Sequence, residues 1–449
     1  MTLTKSLFPR RNYRRTVSLY FLMTVAGCLA MFRSRISTQL MKQKMLSMQL
    51  TGQEIGMPSG PVEAFHIKNL PQTFTIQSLP RWMAEYVTFH QGNIKVSPES
   101  TQYKVGNGTR WLRAVRRRGG VGDCVNGILA VMLLAMCNNR TFLLEPDWSP
   151  IEIGSIFEPR LIQWNATIPN SPDFFWDEAS GRLLNGIEPF PANFTGIDMV
   201  ASNYWMPPPN WITQSECYNH LLHRDGDNAS TVDPLRIYHN QFWSLFKFTK
   251  DAHNRSQAML QSASIKPNRY YIGAHYRAGD QQFLGNLDWV ATRLGTSNDT
   301  VSEFYNCTKK LQHAMKQCLQ NAHLNSSHKE ENIYLPQIYL ASDNDEVKKQ
   351  FVLKDPSTIR VADMEIMHFD LTGPTPFKDP KKAAFDVFTE LKILIESTCL
   401  VHYRSGYSEI AAWVGSSPRC AIRFDQCSKN DVEQALANIG CHNDFRTIE

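Results

Sequence analysis

Two kinds of apolar pattern alternate along this chain of 449 residues. Short runs of consecutive apolar residues, rich in Val, Ile, Leu, Phe and Tyr, predict buried strands at 111–117, 141–144, 270–274, 338–341, 359–361, 399–403 and 420–424. Stretches in which apolar residues return every three or four positions predict helices at 124–137, 234–246, 302–320, 346–353, 383–397 and 408–414. In the clearest of these, 383–397, Phe385, Phe388, Leu391 and Ile395 form one stripe. Strands alternating with helices in this way predict an α/β architecture of parallel, doubly wound sheets. A first Rossmann-like unit is expected at 106–265 and a second at 266–449.

The pattern weakens in two places. Residues 145–265, dense in Trp, Pro, Asn and Phe, predict long loops and short helices. Residues 33–105, rich in Gln, Met, Ser and Pro, show no sustained period and read as a stem. Ahead of them, 16–32 is an uncharged apolar run behind Lys5, Arg10, Arg11, Arg14 and Arg15. That charge bias predicts a single-pass type II signal anchor, with 1–15 as a cytosolic tail and the bulk of the chain in the Golgi or ER lumen. A cleaved signal peptide, with small residues at Ala26-Gly27-Cys28, is the competing reading.

A lumenal address fits two further features. Glycosylation sequons begin at Asn107, Asn139, Asn165, Asn193, Asn228, Asn254, Asn298, Asn306 and Asn325, although Asn139 falls where packed structure is expected. Cysteines beyond Cys28 are odd in number, which predicts disulfides and at least one cysteine outside them. Cys307 and Cys318 sit about 16 Å apart along one predicted helix and cannot bridge each other, so pairing among Cys420, Cys427 and Cys441 is expected. The net charge of +5 is mild and concentrated near the N-terminus, which excludes a nucleic-acid binder with a basic folded face.

Candidate chemistry collects where strands end. The strand at 270 delivers His275, Arg277 and Asp280; that at 338 delivers Ser342 and Asp343; that at 399 delivers Ser405, Gly406 and Ser408. Parallel strands bring these tips to one edge, where open α/β sheets bind ligands. The set holds an arginine fork for oxyanions, carboxylates for ribose or base donors, and a hydroxyl-and-glycine loop, and so predicts a nucleotide-diphosphate pocket. In the first unit, Gly120 and Gly122 precede a helix carrying Asp123 and Asn126. Glycines let a ligand approach the backbone and the helix start favours anions. The spacing is neither a dinucleotide fingerprint nor a triphosphate loop. Asp123 reads either as a helix cap or as a catalytic carboxylate.

These motifs, in this order, resemble those of the GDP-fucose fucosyltransferases, the group containing the α1,2-, α1,6- and protein O-fucosyltransferases. His-Tyr-Arg-Ala-Gly-Asp at 275–280 is similar to their His-x-Arg-x-x-Asp motif. Gly-Gly-Val-Gly-Asp-Cys-Val-Asn-Gly resembles their N-terminal loop, and Tyr-Leu-Ala-Ser-Asp-Asn their second motif. Phe-Asp-Val-Phe followed by Tyr-Arg-Ser-Gly-Tyr-Ser resembles their third. The resemblance implies a GT-B-like fold of two Rossmann-like domains facing across a cleft, and inverting transfer from GDP-fucose to a glycan or glycoprotein acceptor without metal or other cofactor. Acceptor recognition would fall in the aromatic-rich middle region. Arg277 would hold the β-phosphate with support from His275 and Asp280, Asp343 and Asp386 would hold the nucleoside or order its loops, and Ser405 and Ser408 would bind phosphate. Ala278 stands where the α1,6 enzymes have a second arginine, and their downstream acid is replaced near Gly285. The general base is therefore open between Asp123 and Asp288. Asp343-Asn344-Asp345 also reads as a metal-binding Asp-x-Asp, unless Asp345 is a helix cap. A lumenal carbohydrate-binding protein on the same scaffold is the non-enzymatic alternative.

Overall fold

The computed structural model describes residues 74–96, 102–115, 120–168, 171–176, 193–200, 234–266, 270–277, 298–324, 335–364, 378–403, 405–415 and 420–441. The expected anchor at 16–32, the stem up to 73, Asp280 and Asp288 lie outside them. Among the described residues no helix is long and apolar enough to cross a membrane.

The folded body starts earlier than the apolar pattern predicts. Helix α1 (Arg81–Asn93) buries Trp82, Met83, Tyr86, Val87 and His90, a stripe at helical spacing hidden among polar neighbours. The Tyr86 hydroxyl donates to the Arg140 carbonyl at 2.9 Å, and His90 Nε2 lies 2.9 Å from the Phe142 carbonyl. The stem boundary at 105 is corrected accordingly, because residues 74–96 and 102–105 belong to the fold. After α1, β1 (Ile94–Val96) and β2 (Tyr103–Val105) pair antiparallel.

The first parallel sheet follows. β3 (Trp111–Val115) leads into α2 (Val121–Cys137), which begins ahead of the predicted residue 124 because Gly120, in extended conformation, is its N-cap. Asp123 sits in its first turn, where a carboxylate meets the positive end of the helix dipole. β4 (Thr141–Leu144) comes next, then the short pair β5 (Asp147–Trp148) and β6 (Ile151–Glu152), and β7 (Phe157–Pro159). β8 (Phe174–Trp176) and β9 (Gly196–Val200) complete the sheet in the order β4-β3-β9-β8. The loop-rich reading of 145–265 missed these strands because each is too short to show a period. Helix α3 (Pro234–Leu245), β10 (Phe246–Phe248), which pairs with β7, and α4 (Lys250–Ser262) end this part.

The second sheet matches its predicted elements closely. β11 (Tyr271–Tyr276), α5 (Asn298–Leu324), β12 (Gln337–Ser342), α6 (Asp345–Lys354) and β13 (Ile359–Arg360) run to one side. Then α7 (Pro380–Glu396), β14 (Cys399–His402), α8 (Gly406–Val414), β15 (Cys420–Arg423) and α9 (Lys429–Ala437) run to the other. The five strands are parallel in the order β13-β12-β11-β14-β15. The order reverses between β11 and β14, which opens a crevice at their carboxyl ends.

One apolar core includes Leu112, Val125 and Ile128 from the first sheet and its helix, Phe242 from α3, and Leu391, Ile410 and Val414 from α7 and α8. The two sheets, expected as two Rossmann-like domains facing across a cleft, share this core, and α2 and α8 are in backbone contact. A Cβ on Gly122 would lie 2.3 Å from the Gly406 carbonyl carbon and the Tyr407 nitrogen, so only glycine fits. The boundary at 265 likewise falls after two helices that bind the second sheet's layer. Trp243 of α3 donates its Nε1–H to the Val414 carbonyl at 2.9 Å, and Arg255 of α4 forms a bidentate pair with Asp386 of α7.

Disulfides join Cys307–Cys427, Cys318–Cys441 and Cys399–Cys420. Pairing within the Cys420, Cys427, Cys441 trio is therefore wrong: each of the three ties the C-terminal segment to an earlier element. β14 and β15 run in register with Cys399 opposite Cys420, and α5 carries the other two partners. Cys137 is also in a disulfide, and Cys124 is a buried thiol outside any. The sequon asparagines Asn107, Asn139, Asn165, Asn193, Asn254 and Asn306 are all exposed. Asn139 reverses its expectation because, past the end of α2, it turns outward with φ of 47°.

Candidate functional site

The carboxyl ends of β11, β12 and β14 bring the expected groups together. Arg277 directly follows β11, and its Nε lies 3.2 Å from Oδ2 of Asp343, directly after β12. The arginine side chain keeps 24% of its surface in solvent, and that of Asp343 keeps 9%. Two residues before Arg277, His275 is buried opposite Ala341 on one flank and His402 on the other. Its ring lies 5.2 Å from that of Tyr407 in α8. Burial, then the neighbouring Arg277 and His402, pull its pKa down to about 3, so the imidazole is neutral. Its Nδ1 has no hydrogen-bond partner among the described residues.

Other predicted members take structural roles. Ser342 accepts the Asn344 amide at 3.2 Å, which shapes the turn into α6. Asn344, not Asp345, caps that helix, its side chain accepting from the Glu346 and Val347 amides. The Asp-x-Asp reading loses its geometry here: Asp343 faces Arg277, whereas Asp345 is 68% exposed and leans toward Lys348 at 3.6 Å. Among the described residues no group of three His, Cys, Asp or Glu is placed to hold a metal ion. Ser405 is the N-cap of α8, which starts at Gly406 and not at 408 as predicted. Ser408 is fully buried with its hydroxyl on the Tyr403 carbonyl at 2.9 Å and the Ser405 carbonyl at 3.2 Å. Its expected role on phosphate is therefore corrected. Of the two roles expected for Asp386, ordering fits better than a nucleoside contact, for it is 1% exposed and both its oxygens are held by Arg255, with Lys382 at 2.9 Å.

From the first sheet, Gly120, Gly122 and Asp123 arrive at the same edge through the start of α2. A Cβ on Gly406 would meet Asp123 Oδ1 at 3.0 Å. Asn126, one turn beyond Gly122, is 2% exposed, and neither end of its amide has a partner among the described residues.

Glu390 was not anticipated. It lies in α7, one turn beyond Asp386, and accepts from the Tyr339 hydroxyl at 3.2 Å. Burial raises its pKa to about 7, against the opposing effects of Lys348 and the Tyr339 bond, while Asp386 and Asp343 add to the rise. The signal was present as a charged residue within a helix that is otherwise buried at 388–395.

No family model matches this chain, and no curated protein matches it. Solved structures do. The fucosyltransferase NodZ from Bradyrhizobium is 13% identical, with 71% of this chain and 96% of that one covered and a TM-score of 0.37. An Arabidopsis thaliana FUT1 mutant in complex with GDP is 12% identical, covering 74% and 76% at a TM-score of 0.45. POFUT1 in complex with GDP-fucose is 13% identical, covering 70% and 97% at 0.34. All three are fucosyltransferases or carry that family's name.

Proposed function

We propose that this chain is an inverting, metal-independent fucosyltransferase with a GT-B-like arrangement, taking fucose from GDP-fucose to a glycan or glycoprotein acceptor. The observation that carries this reading is Arg277, set by Asp343 at the crevice between β11 and β14. In an inverting displacement the acceptor oxygen attacks the sugar carbon as the bond to the diphosphate breaks. Negative charge then grows on the leaving GDP, and a guanidinium fixed beside the β-phosphate stabilises that charge without reorganising. Asp343 serves by aiming the guanidinium, which fits the ordering role implied by the motifs better than a nucleoside contact. Neutral His275 supports the same edge from below, and its Nδ1 faces no described partner. The backbone at Ser405–Gly406 brings a helix start to the crevice, a favourable place for a phosphate.

The same reading places the catalytic body in the Golgi or ER lumen behind a membrane anchor at 16–32. The disulfides and the exposed sequon asparagines support an oxidising, glycosylating compartment. The test is transfer by the purified protein from labelled GDP-fucose to a panel of glycans and glycoproteins, with and without EDTA. Transfer that survives EDTA and disappears in Arg277→Ala is expected. Transfer only from a UDP-sugar, or only with added metal, would overturn the proposal.

A further inference from the structure

The last carbonyls of α8 are held from α3. His239 Nδ1 lies 3.0 Å from the Val414 carbonyl and 2.6 Å from that of Gly415. Trp243, four residues on and so on the same face of α3, donates its Nε1–H to the Val414 carbonyl at 2.9 Å. A carbonyl only accepts, so Nδ1 of His239 carries the ring proton and donates it. The final C=O groups of a helix have no partner within it, and Val414 and Gly415 are buried, where a carbonyl without a donor is costly. Beside these bonds, the Tyr238 ring packs 5.1 Å from that of Trp413 in α8, and Gln241 Nε2 donates to the Leu129 carbonyl of α2 at 3.2 Å. The other end of α8 faces the crevice: the Tyr407 ring lies 5.2 Å from His275, and its hydroxyl donates to the Val387 carbonyl at 2.7 Å. Nine residues make α8 a rod about 13 Å long, so whatever fixes its last turn also sets its first.

We propose that His239, with Trp243, is a positioning residue for the donor crevice: α3 holds α8 by its last carbonyls and thereby sets the Ser405–Gly406 turn and the Tyr407 ring against His275. Without the Nδ1 donor the Gly415 carbonyl must find another partner, and α8 shifts along or away from α3. A small displacement at its start is enough to weaken a contact that depends on position. The middle region, expected to serve the acceptor, thus reaches the donor side through α3. The consequence for donor binding rests on the proposed fucosyl transfer; the hold on α8 does not.

The experiment compares full-length wild type with His239→Leu, His239→Asn and, as a control, Tyr86→Phe. Leu keeps bulk without a donor, whereas Asn offers an N–H at the reach of Nδ1. Tyr86→Phe also strips a buried carbonyl, that of Arg140, of its donor, but from α1. The readouts are Tm, KM and kcat with GDP-fucose, and amide hydrogen exchange of peptides spanning 405–415. His239→Leu should raise donor KM by about tenfold with kcat within about threefold, and should speed exchange at the start of α8 as well as at its end. His239→Asn should return KM to within about threefold of wild type. Tyr86→Phe should lower Tm while KM and exchange at 405–415 stay at wild-type values. Wild-type KM and exchange in His239→Leu would overturn the proposal. An equal KM rise in Tyr86→Phe would do the same, since lost stability alone would then account for it. If wild type transfers nothing, the functional reading fails, and exchange at 405–415 still decides whether His239 holds α8: faster in His239→Leu upholds the hold, and unchanged refutes it.

Discussion

Arg277 and Asp343, on neighbouring strand ends, meet as an ion pair with Nε 3.2 Å from Oδ2. A guanidinium oriented in this way is ready for an oxyanion before one arrives. Arg277→Ala should lose transfer by several hundredfold or more, comparable to removing an oxyanion-hole donor. Arg277→Lys should recover little, because a point charge replaces a planar fork. Steady-state kinetics with saturating acceptor check both; near-normal turnover in either variant contradicts the assigned role.

Asp386 makes a contrasting case. Its carboxylate is buried and held by Arg255 and Lys382, so its loss should leave Arg255 short of its partner. Asp386→Ala should cost about 1–3 kcal/mol of stability, because Arg255 and Lys382 lose their charged hydrogen bonds but keep 32% and 58% of their side-chain surface in solvent. The expected readout is a lower denaturation midpoint, with donor affinity in the folded fraction unchanged. A variant of normal stability but weak GDP binding would restore Asp386 to the nucleotide site.

Gly122 has no room for a side chain. Gly122→Ala would place a methyl 2.3 Å from backbone atoms of Gly406 and Tyr407, which cannot give way as a flexible side chain does. Overpacking of this kind costs about 1–3 kcal/mol or more. A Tm equal to wild type would mean that α2 and α8 are not in contact.

Buried titratable groups set the pH profile of stability. Burial holds His275 near pKa 3 and His90 near 4. The unfolded chain takes up those protons as pH falls through about 6.5 while the folded chain does not, so their stabilisation is present at neutral pH and lost on acidification. Glu390 acts in the opposite direction. Its folded carboxyl keeps a proton up to about 7, so stability is lost as pH rises from the usual carboxylate range through that value. Glu390→Gln should therefore raise Tm at pH 8 relative to wild type more than at pH 5. An equal change at both pH values would contradict the account.

Much of the second sheet was legible because each strand is a run of buried residues followed by a capped helix. Register then placed His275, Arg277, Asp343 and the Ser405–Gly406 turn at one edge. Where pairing is long-range, sequence was silent. It did not show that Cys427 and Cys441 reach α5, that Arg255 would claim Asp386, or that Ser408 would turn its hydroxyl inward. The helix Arg81–Asn93 was missed because its buried face includes Tyr86 and His90, polar residues satisfied only by carbonyls of another element.

The most direct measurement is the thermal shift of wild type and Arg277→Ala with GDP, GDP-fucose, GDP-mannose and UDP-sugars, with and without EDTA. A ligand at a hundred times its Kd stabilises by about 2.7 kcal/mol. The account predicts stabilisation of wild type by GDP and GDP-fucose, indifferent to EDTA and largely absent in Arg277→Ala. A preference for UDP, a requirement for metal, or an equal shift in the variant would contradict it.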